Sequence, residues 1–122
     1  SLNVVADQLG APTSARLIAQ VTTQILAQYL QDAQFNAYGI YHLTSNGQTT
    51  WHKYAQFIVQ QVQQKQILNL TVAKVCAIPS REYPTPAKRP LNSRLSCQKL
   101  QQQFAIQLAD WQDEVSNVLQ QL

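Results

Sequence analysis

The sequence predicts a single domain of mixed α/β class (α+β), with about four helices and a few short strands. Its 122 residues suffice for one domain with a core, since domains usually contain roughly 100–200 residues. Several stretches place apolar residues at every third or fourth position, which indicates amphipathic helices. Short runs rich in β-branched and aromatic residues lie between them and indicate strands. With 45% hydrophobic residues, the composition is typical of a globular domain.

The chain begins with an extended apolar segment that leads into a helix. Residues 1–12 are predicted to be extended and to end in the loop Asp7–Pro12. Thr13 or Ser14 can cap the following helix, which is predicted to continue to about Gln31. Its apolar positions are Leu17, Ile18, Val21, Ile25, Leu26, Tyr29 and Leu30.

A strand and a second helix are predicted next. Tyr38–Thr44 is rich in β-branched and aromatic residues, which indicates a strand, and the Asn46-Gly47 pair indicates a turn at its end. Thr49 or Thr50 can cap a helix to about Lys65. The predicted buried stripe of that helix consists of Trp51, Tyr54, Ala55, Ile58 and Val62.

The middle of the chain alternates apolar segments with a proline-rich loop. Ile67–Leu70 and Val72–Ile78 are short apolar segments, and the second is predicted to be a strand. Residues 79–90 contain four prolines. Each proline removes a backbone donor and restricts the preceding residue, so this loop is predicted to be stiff and extended. Leu91–Leu95 is predicted to be a short strand.

Two helices are predicted at the end of the chain. Ser96 can cap a short helix to about Phe104, and Asp110 can cap the last helix, with Asp113 and Glu114 near its positive N-terminal end. The apolar stripe of the last helix consists of Trp111, Val115, Val118, Leu119 and Leu122. Both tryptophans of the chain lie on predicted stripes and are therefore expected to be buried.

The glycine content excludes a glycine-rich phosphate loop. The only glycines are Gly10, Gly39 and Gly47, so neither G-x-G-x-x-G nor G-x-x-x-x-G-K-[ST] occurs in the chain. A nucleotide phosphate, if bound, must be held by other groups.

Metal and hydrolytic sites are not indicated either. His42 and His52 have no carboxylate or cysteine at ligand spacing, and three of the six acids lie within residues 110–114, where they favour a helix start. No metal ligands and no catalytic residues are predicted. Cys76 and Cys97 are predicted to be small buried apolar residues. Together with the absence of a long apolar segment or a signal peptide, the two cysteines favour a cytoplasmic protein without a membrane partner.

The positive charge of the chain is concentrated in one loop. The net charge is only +3, but five of the nine basic residues lie in residues 81–99, where Glu82 is the single acid. These basic residues are Arg81, Lys88, Arg89, Arg94 and Lys99. Such a loop suits a small anion such as a phosphate. Binding of nucleic acid through this loop is the alternative, although the small net charge does not favour it.

Two segments combine residue types that simple loops rarely combine. Asp7–Thr13 reads D-Q-L-G-A-P-T, for which ordinary helix-entry chemistry is an equally weighted alternative. Tyr83–Leu95 reads Y-P-T-P-A-K-R-P-L-N-S-R-L and joins an aromatic residue, three prolines and adjacent cations. Its donors are predicted to be pre-organised.

These segments, with Gly39–Leu43, Thr49–Trp51 and Asp110–Gln112 between and after them, closely resemble the C-terminal part of the dTDP-4-dehydrorhamnose reductase family, a branch of the extended short-chain dehydrogenase/reductases. The resemblance covers essentially the whole chain. It implies that residues 1–122 are the small C-terminal substrate-binding lobe of a longer enzyme, which reduces dTDP-6-deoxy-L-lyxo-4-hexulose to dTDP-L-rhamnose with NADPH or NADH. The Rossmann half, with its glycine-rich turn and Tyr-x-x-x-Lys set, is absent here. The isolated chain is therefore expected to be inactive.

The resemblance also implies which side chains bind the nucleotide sugar. They are Arg89, Asn92 and Ser93 at the diphosphate or nucleotide, Gln8 at the sugar, and Lys88 and Arg94 as further phosphate contacts or as solvated charges. No cofactor-binding residue is expected within this chain.

Metal and partner expectations follow from the same resemblance. Some family members are dimers bridged by magnesium through glutamates, but the corresponding positions here are Arg16 and Gln121, so no magnesium is expected. The expected partners are the nucleotide sugar and the Rossmann half, and the face that meets this half could drive self-association. A non-catalytic binding protein of the same fold, similar to the regulatory subunit of methionine adenosyltransferase, is the alternative.

Overall fold

The structure is a computed structural model that describes residues 1–67, 69–72 and 74–122. Four helices and four short strands lie in these residues, which confirms the predicted fold class. In chain order they are β1 (Leu2–Val5), β2 (Leu9–Gly10), α1 (Ala15–Gln31), β3 (Thr49–Thr50), α2 (Trp51–Lys65), β4 (Val75–Ile78), α3 (Gln98–Phe104) and α4 (Trp111–Leu119).

The strands form two small two-stranded sheets. β1 and β4 are parallel, with Leu2 opposite Val75 and Val5 opposite Ile78. Parallel strands need a long crossover connection. Here that connection contains both long helices, α1 and α2. β2 and β3 are antiparallel, with Leu9 opposite Thr50. The start of the chain therefore contacts two segments that are distant in sequence.

Helix α1 begins and ends where its sequence predicts. The Ser14 hydroxyl accepts a hydrogen bond from the Leu17 N–H at 2.9 Å, as an N-cap does. The buried face of α1 packs in a first core cluster that consists of Leu17, Val21, Leu100, Phe104 and Ile106. Ile25 is half-buried and packs against this cluster, but the other predicted members of the stripe, Ile18, Leu26, Tyr29 and Leu30, are exposed. The predicted stripe is therefore too wide.

Helix α2 and helix α4 form a second core cluster. Thr50 caps α2 as predicted, and the cluster consists of Val62, Trp111, Val115 and Leu119. Tyr54 and Ile58 are half-buried and pack against this cluster, as predicted, but three predicted members of these stripes are exposed. Trp51 is 55% exposed because it is the first residue of α2 and lies at its end, and Val118 and Leu122 are exposed at the end of the chain.

The two clusters are joined by a buried carboxylate. Glu114, in the first turn of α4, is 5% exposed and accepts a hydrogen bond from the Ser14 hydroxyl. The same hydroxyl caps α1, so one serine connects the start of both helices. The prediction that Glu114 only complements the helix dipole is incomplete, because the side chain also links two helices.

Tyr38–Thr44 is not a strand, and His42 is therefore not in one. Side chains take the place of a partner strand: the Thr44 N–H donates to Cys97 Sγ at 3.3 Å, and the Ile40 carbonyl accepts from Lys99 Nζ at 3.0 Å. Tyr41 and Leu43 of this segment pack against the first core cluster, whereas Tyr38 and Ile40 are exposed.

The second half of the chain differs from the predicted elements in three places. Leu91–Leu95 is not a strand and contributes only a bridge from Asn92 to β2. The proline-rich loop begins with a 3₁₀ turn at Ser80–Glu82, so it is not extended throughout. The N-cap of α3 is Cys97 rather than Ser96.

Other predictions for the second half of the chain are confirmed fully or in part. Asp110 is the N-cap of α4, but its carboxylate accepts from Asn46 Nδ2 at 2.7 Å instead of capping the helix. The predicted strand at Val72–Ile78 begins at Val75. That segment and Ile67–Leu70 each include one residue outside the described part. Both cysteines are free and half-buried. No helix in the described residues is long and apolar enough to span a bilayer.

Candidate ligand-binding site

A cleft of about 200 Å³ lies between the loop before α1, the start of α2 and the end of the proline-rich segment. Its polar and aromatic lining residues are Gln8, Thr49, Thr50, Trp51, Tyr54, Arg89 and Ser93. A wider groove of about 1130 Å³ runs beside it along β1 and the proline-rich loop. Gln8, Trp51 and Arg89 line both, so the two form one continuous surface.

Backbone hydrogen bonds hold the two sides of the cleft together. The Leu9 N–H donates to the Leu91 carbonyl at 2.8 Å, and the Ser93 N–H donates to the Leu9 carbonyl at 2.9 Å. The Ser93 hydroxyl donates to the same carbonyl at 2.9 Å. A Cβ at Gly10 would lie 3.1 Å from this hydroxyl, so the absence of a side chain permits the close approach.

A carboxylate and a hydroxyl lie behind Gln8. Asp7 accepts hydrogen bonds from the Ser80 N–H at 3.0 Å and from the Ser80 hydroxyl at 2.5 Å. The hydroxyl in turn accepts from Gln8 Nε2 at 3.0 Å. The hydrogen bonds from the Ser80 side chain and backbone lower the pKa of Asp7 below its ordinary value, and the nearby charge of Arg81 adds to this effect.

The proposed substrate contacts divide between two neighbouring surfaces. Gln8, Arg89 and Ser93 line the cleft, and Lys88 lines the adjoining groove. Arg89 and Lys88 are exposed, so their charges are accessible to an anion in these spaces.

Asn92 and Arg94 lie outside the cleft, in an open depression of about 500 Å³. Asn92 Oδ1 accepts from the Arg94 N–H at 3.2 Å and from Arg94 Nε at 2.9 Å, and Gln48 Oε1 accepts from Arg94 Nη1. Neutral acceptors therefore orient the guanidinium of Arg94 without neutralising its charge.

Comparison with known proteins identifies the family of the chain. The whole chain, residues 1–122, matches the family model described as the RmlD substrate binding domain. The chain belongs to this family.

Relatives of this RmlD substrate-binding domain have closely similar sequences. It is 43% identical over 121 residues to dTDP-4-dehydrorhamnose reductase of Shigella flexneri, and 42% identical over 121 residues to that of Escherichia coli. Each match covers 99% of this chain, but only 40% and 39% of the two relatives. The domain thus spans about two fifths of the length of the relatives that it matches.

Solved structures have the same fold. A dTDP-4-dehydrorhamnose reductase ortholog of Clostridium acetobutylicum superposes with a TM-score of 0.80 at 28% identity, over 99% of this chain and 39% of that one. The reductase of Bacillus anthracis, solved in complex with NADP, gives a TM-score of 0.77 at 21% identity, over 99% of this chain and 38% of that one. These neighbours confirm the predicted fold of a substrate-binding lobe.

Four polar and aromatic cleft residues of the RmlD substrate-binding domain are not among the predicted site residues. The sequence predicts Thr49 or Thr50 as the cap of a helix, and Trp51 and Tyr54 as members of its buried stripe. A usable signal was present, because Thr49–Trp51 is one of the segments on which the family resemblance depends.

The described residues contain neither a set of metal ligands nor the motifs of a nicotinamide-cofactor site. No three His, Cys, Asp or Glu side chains of the described residues cluster closely enough to hold a metal ion. Arg16 and Gln121 are exposed and offer no carboxylate to magnesium. His52 Nε2 lies 3.3 Å from the Val75 carbonyl, which is a structural contact. The chain contains neither a glycine-rich turn nor Tyr-x-x-x-Lys, so it offers no recognisable NADP site.

Proposed function

We propose that this domain is the nucleotide-sugar-binding part of an NAD(P)H-dependent dTDP-4-dehydrorhamnose reductase. The substrate would be dTDP-6-deoxy-L-lyxo-4-hexulose and the product dTDP-L-rhamnose. The names of the relatives support this assignment. The observation that carries it is the meeting of Gln8 and Arg89, which are far apart in sequence, in one cleft.

Arg89 holds the diphosphate in this proposal. A guanidinium is planar and permanently charged, and it can bind two phosphate oxygens at once. Lys88, in the adjoining groove, adds a second positive charge to the same surface. The diphosphate would thus lie where the groove and the cleft meet.

Ser93, Asn92 and Arg94 have different roles in the proposal. The Ser93 hydroxyl already donates to the Leu9 carbonyl, so it holds the loop and can only accept from the nucleotide. Asn92 orients Arg94, whose guanidinium is directed to the neighbouring depression. Arg94 therefore contributes charge near the diphosphate rather than a contact inside the cleft.

Gln8 and two aromatic residues surround the sugar end. The Gln8 amide can exchange hydrogen bonds with a sugar hydroxyl, while Trp51 and Tyr54 provide an apolar wall. The domain's residues bind and orient the substrate, and we assign no proton or hydride transfer to them. We propose that these transfers use a Rossmann half outside residues 1–122.

The experiment is Arg89→Ala in the whole reductase that carries this domain. We expect kcat/KM for the keto sugar to fall about tenfold or more, since one charge-assisted phosphate contact is lost. Lys65→Ala is the matched control, because it removes an exposed cation that lines none of these spaces. The measurement is the rate of NADPH oxidation.

Two results would contradict the proposal. An unchanged kcat/KM in Arg89→Ala would make this arginine a structural residue. Oxidation of NADPH by residues 1–122 alone, with the keto sugar as substrate, would place catalytic groups within the domain. We expect no turnover from the isolated domain.

A further inference from the structure

Two side chains behind the cleft form a hydrogen-bonded relay that ends on a cleft residue. The relay consists of Asp7, Ser80 and Gln8. Asp7 accepts from the Ser80 hydroxyl at 2.5 Å, and Ser80 accepts from Gln8 Nε2 at 3.0 Å. Gln8 lines both the cleft and the groove, whereas Asp7 lines neither of them and Ser80 lines only the groove.

The fold brings these three residues together at one edge of the parallel sheet. Asp7 and Gln8 follow β1, and Ser80 follows β4. The carboxyl ends of parallel strands meet at the same edge of a sheet, so the residues after the two strands become neighbours. A hydrogen bond from the Ala6 N–H to the Ile78 carbonyl at 2.9 Å continues the pairing up to this point.

We propose that Asp7 and Ser80 are positioning residues, which fix the amide of Gln8 so that its Oε1 is available to accept a hydrogen bond from a sugar hydroxyl. The inference rests on the proposed function, because it needs a sugar bound beside Gln8. It adds a source of selectivity: the site favours a ligand that presents a hydroxyl donor at this position.

The direction of the relay follows from the number of protons. An ionised carboxylate can only accept, so the single hydroxyl proton of Ser80 belongs to the bond with Asp7. The hydroxyl oxygen can then only accept, and Nε2 is the one end of the Gln8 amide that can donate to it. A reversed amide would place two acceptors together without a proton between them, which costs free energy.

The charge of Asp7 is secured by its surroundings. Its carboxylate also accepts from the Ser80 N–H at 3.0 Å to each oxygen. These bonds favour the ionised form and hold the pKa of Asp7 below its ordinary value. The acceptor at the start of the relay is therefore permanent at neutral pH.

The test uses the whole reductase and compares its dTDP-linked keto sugar with dTDP, which lacks the hexose. The two readouts are kcat/KM for the keto sugar and the inhibition constant of dTDP. We expect Ser80→Ala to lower kcat/KM about three- to tenfold, as for one lost hydrogen bond, and to leave the inhibition constant of dTDP within about twofold. Ser80→Thr keeps the hydroxyl and should restore kcat/KM.

Asp7→Asn tests the direction of the relay. Asparagine can donate to Ser80, which frees the hydroxyl proton for Gln8 and allows the amide to turn over. We expect the same selective loss of kcat/KM for the keto sugar. In a Gln8→Ala background, Ser80→Ala should cause no further loss, since the two residues act through one contact.

Distinct outcomes separate the failure of the relay from the failure of the proposed function. Equal losses for dTDP and for the keto sugar in Ser80→Ala, or fully additive losses with Gln8→Ala, would make Ser80 a merely structural residue and overturn the relay. A whole protein that neither reduces the keto sugar nor binds dTDP would overturn the proposed function, and the relay with it.

Discussion

The helical region and the loop region of this domain are held together by different interactions. In the helical region, α1 with α3 and α2 with α4 bury apolar clusters, and Trp111 packs against Tyr54 and Phe57 with ring centroids 6.2 and 5.1 Å apart. The loop region consists of the loop Asp7–Pro12 and of residues 81–96, and every residue from Arg81 to Ser96 is exposed. There the segments are joined by hydrogen bonds, such as those between Ser93 and Leu9.

This difference separates stability from binding. Apolar burial is the main favourable contribution to folding, and it is concentrated in the helical region. The loop region buries little but presents polar and charged groups at fixed positions. Substitutions in the helices should therefore act on the free energy of unfolding, and substitutions in the cleft should act on ligand binding.

The largest expected effect comes from the two tryptophans. Trp111 is 6% exposed and Trp51 is 55% exposed. We expect Trp111→Ala to lower the free energy of unfolding by about 3–5 kcal/mol, because it leaves a cavity in the second core cluster. Trp51→Ala should cost about 1 kcal/mol or less and should instead weaken nucleotide-sugar binding. Urea unfolding measures the first quantity, and ligand titration of the whole reductase measures the second.

Each variant is the control for the other. Equal losses of stability would show that Trp51 belongs to the core and that the separation of the two regions is wrong. The sequence alone predicts equal losses, because both tryptophans lie on apolar stripes.

A smaller effect is expected at two glycines. Gly47 lies against Trp111 of the helical region, and Gly10 lies in the loop region. Gly47 has a φ of 84°, and a Cβ there would lie 3.1 Å from Trp111 Cδ1. Gly47→Ala combines backbone strain with a clash against a buried ring, and we expect it to cost about 1–3 kcal/mol. Gly10→Ala meets only the Ser93 hydroxyl, which can rotate away, and should cost about 1 kcal/mol or less.

Thermal unfolding compares the two glycine variants under one condition. A larger loss in Gly10→Ala than in Gly47→Ala would show that the cleft side of the domain is the more tightly packed. Such a result would contradict the conclusion that the helical region contributes most of the stability of the domain.

The helices could be predicted from the sequence because their signals are local. Ser14 and Thr50 cap α1 and α2 as predicted, and the apolar repeat after each cap determines the buried face. The predicted strand at Tyr38–Thr44 is wrong for a nonlocal reason. Its composition suits a sheet, but its backbone groups bond to the side chains of Cys97 and Lys99, which are distant in the sequence.

The site could be predicted only in part. The family resemblance led to Gln8, Arg89 and Ser93, and these residues do meet in one cleft. The contact between Asp7 and Ser80 is not detectable in the sequence, because neither residue belongs to a recognised motif with the other and only the parallel pairing of β1 and β4 makes them neighbours.

The smallest expected effect is the pH dependence that Asp7 gives to stability. Its pKa in the folded domain is lower than the ordinary value of 3.8, through the Ser80 hydrogen bonds first and the charge of Arg81 last. A lowered pKa stabilises the fold above the pKa of the unfolded chain, and this stabilisation is lost as the pH falls through the lower, folded value. The difference in Tm between the unmodified chain and Asp7→Asn should therefore be constant from pH 5 to pH 7, at about those limits.

Below about pH 4 the same difference should shrink towards zero, because the Asp7 carboxylate becomes protonated in both states. Thermal unfolding between these pH values measures it. Asp113→Asn, which removes an exposed carboxylate from α4, controls for the loss of one negative charge. A difference that stays constant down to pH 2 would mean that the carboxylate of Asp7 does not stabilise the loop region, and that the pairing of β1 with β4 alone holds Ser80 beside the cleft.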